Sequence, residues 1–447
     1  MSKLAQMDFN EEKVKKLVQD ILQEAIQQGA SSAEVGVGID KGFSVTARER
    51  DVESIEYHQD KNLGVTVYFG KRTGSASLSD VHPDAIRQAV KAACNIARFT
   101  DEDKYSGLAE PELLAFNYSP IETSYPWTIS VEHAAELAIE CETKALDKDK
   151  RIICSEGVTI NTSEGIHVYG NSNGFVGVYN GTTHEISCVV VGKKGDEMQR
   201  DYHYSIAVDP NDLYSISDIA NVAVEKTLRR LGARRLSTRR CPVIFLAEEA
   251  RGFIGHFISA INGGSIYRKS SFLLDYLNKP VFADHIRIHE QPLLPKGLGS
   301  APFDDNGVAT RPNVFVEDGI LKSYVLGIYA ARKLGMQTTG NAGGVHNLFI
   351  TTGDKDLPAL LKTMGTGLLV TELMGQGVNL MTGDYSRGAS GFWVENGEIQ
   401  YAVEEITIAG NLKEMYRNLV EVGNDVDTRG NVRTGSILLD SMMIAGN

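Results

Sequence analysis

No apolar run in this sequence approaches the ~20 residues that a membrane-spanning helix needs, which argues against a membrane partner. Cysteine is scarce: the chain has five, Cys94, Cys141, Cys154, Cys188 and Cys241, an odd number without a C-x-x-C pair. That excludes a zinc ribbon and fits reduced thiols in a cytoplasmic protein better than a disulfide framework. Met1 to Gln6 run straight into Asp8 and Glu11, leaving no apolar core for a signal peptide. Positive charge is in deficit too, with 45 Lys and Arg against 58 Asp and Glu, a net charge of −13. Nucleic acid is held by clustered cations, so this balance argues against a DNA or RNA partner.

What is present suits a globular chain. Over 447 residues, 42% are hydrophobic and 23% charged, enough for sizeable cores in at least two domains. Val14, Leu17, Val18, Ile21, Leu22, Ala25 and Ile26 recur at helical spacing between a cap at Asn10 and a stop at Gly29. Period-two alternation then predicts four or five short strands over 33–79, with turns at Asp40-Lys41-Gly42 and Gly70-Lys71-Arg72. Pro83 opens a second helix, and a third covers 128–147. Strands from Ile152 to about Ala207 and a helix over 213–231 repeat the order helix, strands, helix, which suggests an architectural duplication.

The basic stretch Arg229-Arg230, Arg234-Arg235, Arg239-Arg240 reads as a solvated linker. It divides an N-terminal α/β domain of helices on antiparallel sheets (1–237) from a β-rich C-terminal domain (238–447). There, Pro242–Leu246 is a strand leading into a helix over 248–262, with further helical periodicity in Lys322–Leu334 and Leu357–Thr363. The fold class is α+β.

Most candidate motifs fail on their flanks. Gly170-Asn171-Ser172-Asn173-Gly174 matches G-x-S-x-G, but strand-like residues lie on both sides, so it reads as a hairpin turn. Gly64 and Gly70-Lys71 miss the phosphate-loop spacing, and Gly375-Gln376-Gly377 lacks the third glycine of a dinucleotide loop. None of the ten histidines begins an H-E-x-x-H. His184-Glu185 and His289-Glu290 lack a second histidine, and His285 and His289 read as surface groups on one strand. His256 and His346 stand alone, as hydrogen-bonded structural residues. In the C-terminal block, polar residues sit among glycines: Thr371 to Gly377 and Thr382 to Gly388. Two readings are open there. The block receives an extended peptide, or it is a set of tight turns with buried polar pairs such as Asp384–Arg387.

Thr371-Glu372-Leu373-Met374-Gly375-Gln376-Gly377, the run Thr382 to Gln400, Glu405 to Leu412 and Gly264 to Ser270 together resemble the TldE/PmbA branch of the TldD/PmbA metallopeptidase family. The resemblance extends over essentially the whole chain. It implies a cytoplasmic subunit of a TldD–TldE metallopeptidase, acting in proteolysis of peptides and small unfolded proteins, in peptide-antibiotic maturation and on antitoxin-like substrates. The TldD branch carries an H-E-x-x-x-H zinc motif and a late cysteine ligand. Registered on that motif, Glu249 keeps the glutamate's place, while Glu248 and Phe253 stand where the histidines would be. Thr434 stands near the place of the cysteine.

The resemblance thus implies neither a metal ligand set nor a catalytic residue here, with zinc expected in a TldD-type partner. Met374, Gly375, Gln376, Gly377, Asp384, Tyr385, Ser386, Arg387 and His346 become candidates for peptide binding or the subunit interface. A homodimer of the isolated chain stays open. The alternative function is a non-enzymatic regulator that binds peptide or protein.

Overall fold

The computed structural model describes residues 10–446. The stretch 1–9, expected to lack a signal peptide, and Asn447 lie outside the described residues. The first helix, α1 (Glu11–Gln27), begins as its sequence predicts: the Asn10 side chain accepts from the Lys13 N–H and Val14, Val18, Ile21, Leu22 and Ala25 are buried. Then come β1 (Ser32–Arg48), β2 (Asp51–Phe69), β3 (Arg72–Leu78) and α2 (Pro83–Phe99). The second unit repeats the order with α3 (Val131–Lys148), β4 (Ile152–Asn171), β5 (Val176–Lys194), β6 (Glu197–Ala207) and α4 (Ile216–Arg230). Both units share one antiparallel sheet of order β3-β2-β1-β4-β5-β6, joined at β1–β4. Each unit contributes three antiparallel strands, and the two half-sheets meet edge to edge.

The strands are fewer and longer than the alternation suggested. Asp40-Lys41-Gly42 is not a turn but the middle of β1. Gly42 is there because β4 comes close: an added Cβ would lie 2.0 Å from the Thr162 carbonyl oxygen. The β1–β2 turn falls at Glu49 and Arg50, whose φ values of 57° and 62° belong to a tight hairpin. The buried carboxylate of Glu142, on α3, accepts both of their N–H groups, at 3.0 and 2.7 Å. The G-x-S-x-G segment is a hairpin turn as expected, with Asn171 bonding across to Phe175.

Alternate strand residues bury one sheet face against the helices. Val35, Val37 and Ile39 meet α1 and α2, while Val158, Ile160 and Val190 meet α3 and α4. The other face, carrying Glu34, Gly36, Gly38, His167 and Tyr179, turns toward residues of the C-terminal half such as Phe303.

The second half starts with β7 (Arg239–Phe245), α5 (Ala247–Ile261) and α6 (Gly263–Tyr267). It continues through β8 (Ile288–Glu290), β9 (Val314–Glu317), β10 (Ile320–Leu321), α7 (Ile328–Leu334), β11 (Leu348–Ile350) and α8 (Leu357–Met364). Last come β12 (Gly367–Met374), β13 (Asp384–Glu395), β14 (Glu398–Asn411), α9 (Leu412–Arg417), β15 (Leu419–Val422), β16 (Val432–Arg433) and β17 (Ile437–Ala445). One sheet runs β14-β13-β12-β7-β17-β15, and β14 also pairs with β17, so five of its strands close on themselves. A smaller sheet runs β10-β9-β8-β11-β16. The apolar side of α5 (Phe253, Ile254, Phe257, Ile261) is buried in the core that joins the two sheets. With helices packed on largely antiparallel sheets, the fold is α+β. His285 lies outside the strand predicted for it, and His289 is half-buried, stacked on Phe349 rather than lying on the surface.

The arginine stretch between the halves is not a solvated linker. Arg230 reaches Glu372 at 2.6 Å and Asp201 at 3.4 Å. Arg229, Arg234 and Arg239 lie over the rings of Phe392, Tyr401 and Trp393, and Arg235 pairs with Glu405. Arg229, Arg230, Arg234 and Arg235 stitch the halves together through ion pairs and cation–π contacts, a packing role that a charge run alone does not reveal.

Candidate functional site

The step from β7 into α5 sets the site. Leu246 cannot cap the helix with its side chain, so Ser436 does: its hydroxyl accepts from the Ala247 N–H at 3.0 Å and is itself held by Asp425 at 2.6 Å. The first turn carries Glu248 and Glu249, where the helix dipole favours negative charge. The chain near Thr434 thereby comes to the start of α5, and Thr434 is buried, donating its hydroxyl to the Gly435 carbonyl.

Glu248 is surrounded by cations from both halves. Lys226 of α4 lies 3.6 Å away and Arg429 3.4 Å, while the Tyr202 hydroxyl reaches it at 3.4 Å. Lys226 also contacts Asp201 at 3.6 Å, and Arg429 pairs with Asp427 at 3.0 Å. Arg251, one turn along α5, meets the same Asp427 at 3.5 Å and takes the Tyr204 hydroxyl at 2.9 Å. Burial, then the charges of Arg429 and Lys226, push nearby His203 down to about 4. A narrow polar cleft of about 160 Å³ opens beside it, bounded by Asp201, Lys226, Glu248, Glu249 and Glu372.

Glu249 lines the same cleft. Burial pushes its carboxyl up to about 7, with Glu248 and Glu372 adding to the rise and Arg387 and Lys226 opposing it. Phe253 is in the core, 1% exposed, stacked on Phe245 at 5.4 Å and against Tyr416 at 4.8 Å. Among the described residues, no three His, Cys, Asp or Glu side chains are grouped to hold a metal ion.

The remaining sequence candidates divide into separate places. Met374, Gly375, Gln376 and Gly377 are exposed at the end of β12 and in the loop to β13. Gly377 is obligatory, since its added Cβ would fall 1.7 Å from the Ser386 carbonyl oxygen, and its own carbonyl accepts the Ser386 N–H at 2.7 Å. Along β13, Asp384 and Ser386 point outward, whereas Tyr385 is 1% exposed. The expected pair Asp384–Arg387 is not formed, because residues three apart on a strand face opposite sides. Asp384 bonds Thr382 and Asn411 instead, and Arg387 reaches the Leu373 carbonyl at 3.3 Å. This stretch is a continuous strand rather than a series of tight turns.

Arg387 is the link to α5. Its charge acts on Glu249, His256 and Tyr385. The His256 ring meets Tyr385 edge-on at 6.0 Å, and among the described residues His256 Nε2 has no hydrogen-bond partner. The expectation of a hydrogen-bonded His256 thus fails at Nε2. His346 belongs elsewhere: its N–H donates to the fully buried Glu290 at 3.0 Å, and its Nδ1 lies 3.5 Å from the same carboxylate.

Sequence reasoning missed Lys226, Arg429, Asp201 and Tyr202, which come from helix, loop and strand segments far apart in the chain. The only available signal was the adjacent arginine stretch, which the periodicity of α4 carries toward the same seam.

Family models describing the three domains of PmbA/TldA metallopeptidases match residues 33–97, 124–231 and 238–446. The chain is 48% identical over 433 residues to metalloprotease PmbA of Escherichia coli O157:H7, covering 95% of this chain and 96% of that one. A crystal structure from Bacteroides thetaiotaomicron, described as a candidate modulator of DNA gyrase, superposes with a TM-score of 0.92 at 28% identity, covering 98% of this chain and 100% of that one. TldE from Thermococcus kodakarensis has the same fold, with a TM-score of 0.83 at 21% identity over 96% of this chain and 100% of that one. The chain belongs to the PmbA/TldD metallopeptidase family.

Proposed function

We propose that this chain is the substrate-holding subunit of a cytoplasmic two-chain metallopeptidase and that it works with a TldD-type partner that supplies zinc. The observation that carries this reading is the fate of the motif positions. Glu248 is neutralised by Lys226 and Arg429, and Phe253 completes an aromatic core. A catalytic zinc wants three protein donors and an open position. Here one donor is engaged, one place is apolar, and Thr434 offers only a buried hydroxyl already bonded to a carbonyl. The donor set does not fit a catalytic zinc, so no step is assigned to a metal on this chain.

The exposed Met374 to Gly377 loop and the outward face of β13 support the substrate-holding role. Glycines there bring backbone to the surface, where an extended peptide is recognised by main-chain hydrogen bonds. The substrates are peptides and small unfolded proteins.

Affinity capture of the tagged chain from native extract tests the pairing. Recovery of a chain bearing H-E-x-x-x-H in stoichiometric amount supports it. Repeated capture of peptides or other proteins without such a chain would support a non-enzymatic binding regulator instead.

A further inference from the structure

The face of the N-terminal sheet turned away from its helices holds a cleft of about 450 Å³ against residues 303–305. Its floor is bare backbone. Gly36 and Gly64 are paired across β1 and β2, and a Cβ at either would meet nothing within 4 Å. One wall is aromatic: Tyr179 stacks on His167 at 5.1 Å and lies edge-on to Phe303 at 5.4 Å, with Tyr169 beside them. Glu34, Asp40 and Asp305 supply carboxylates, and among the described lining residues there is no Lys or Arg.

Two of these carboxylates are held out of water. Glu34 accepts from the hydroxyls of Tyr68 and Tyr169, both at 2.7 Å, yet burial holds its carboxyl above the ordinary range. Burial raises Asp305 as well, against the opposing charges of His167 and His346. Burial, then the charges of Asp305 and Asp40, push the Tyr179 hydroxyl up to about 12, so both carboxylates bear on the same wall. Asn171 stands directly opposite Glu34 in the β1–β4 ladder, 1% exposed, with its side chain beside the Tyr169 hydroxyl.

We propose that this cleft binds a primary ammonium group, presented either by a peptide α-amine or by a lysine side chain. An ammonium beside Asp305 offsets the burial of that carboxylate, and the π faces of Tyr179 and Phe303 attract it further. A bare metal ion fits less well. The volume is that of a small-molecule site, and the carboxylates are spread along its walls rather than gathered around one point. The inference concerns binding to this chain alone and does not rest on the pairing proposed above.

Calorimetric titration of the full chain tests it with four probes: triglycine, N-acetyl-triglycine, N-acetyl-lysine methylamide and N-acetyl-norleucine methylamide. At least one amine probe is expected to bind while its uncharged counterpart does not, and which one binds identifies the source of the ammonium. Asp305→Asn should weaken that binding by about tenfold or more, the loss of one hydrogen bond to a charged group. Gly36→Val places a strand-favouring side chain where there is room, so the chain should melt as the parent does while the floor of the cleft is filled. No binding of either amine at millimolar concentration would overturn the proposal, as would binding unchanged in Asp305→Asn. If Gly36→Val fails to fold, Asp305→Asn alone decides.

Discussion

The Lys226 ammonium, on the last helix of the N-terminal half, lies 3.6 Å from the Glu248 carboxylate at the start of α5. The contact joins the two halves at the first turn of α5. It belongs to a partly buried network that also includes Asp201, Arg429 and Asp427. Lys226→Met keeps the apolar stem but leaves Asp201 and Glu248 with one cation fewer. It should lower unfolding stability by about 1–3 kcal/mol, below the full cost of a buried unpaired charge because Arg429 and Arg230 remain. Urea denaturation of the two proteins measures the difference.

Glu249 gives a pH signature. Its carboxyl titrates near 7 in the folded chain against an ordinary value near 4.5, so the folded state binds the proton more tightly than the unfolded one. The favourable contribution is full below the unfolded value and is lost as pH rises from there toward 7. Glu249→Gln removes that dependence. The stability of the variant relative to the parent should therefore be greater at pH 8 than at pH 5, by about 1–3 kcal/mol. Parallel denaturation curves at the two pH values check the sign.

Gly377→Ala tests the loop before β13. The added methyl would collide with the Ser386 carbonyl, so the Gly377–Ser386 hydrogen bond must open. Hydrogen exchange at the Ser386 amide should accelerate while amides in β1 and β4 keep their protection. An unchanged Ser386 amide would show that the loop can shift to make room.

Glu142→Ala should destabilise the N-terminal half by about 2–4 kcal/mol, because the N–H groups of Glu49 and Arg50 and the Ser155 hydroxyl all lose one acceptor. Thermal unfolding measures it. A shift within error of the parent would mean that water replaces the carboxylate at the hairpin.

The sequence was most legible where one local period governs. The buried stripe of α1, the Pro83 start of α2 and the hairpin at Asn171–Gly174 all follow from neighbouring residues. It misled where a distant strand decides. Gly42 looked like a turn residue because only the approach of Thr162 reveals why it is glycine. Asp384 and Arg387 looked like a pair because the strand that separates their faces was not evident. At the candidate site Glu248, Glu249 and Phe253 could be singled out from the sequence. What surrounds Glu248 could not, because Lys226 and Arg429 reach it from segments far away in the chain.

The central claim is that this chain works through a partner's metal, and zinc content measured together with peptide cleavage tests it most directly. The purified chain should hold well under one zinc and cleave no peptide, and cleavage should appear when a TldD-type chain is added. Near one zinc per chain, with hydrolysis by the isolated protein that disappears in Glu249→Gln, would contradict the account.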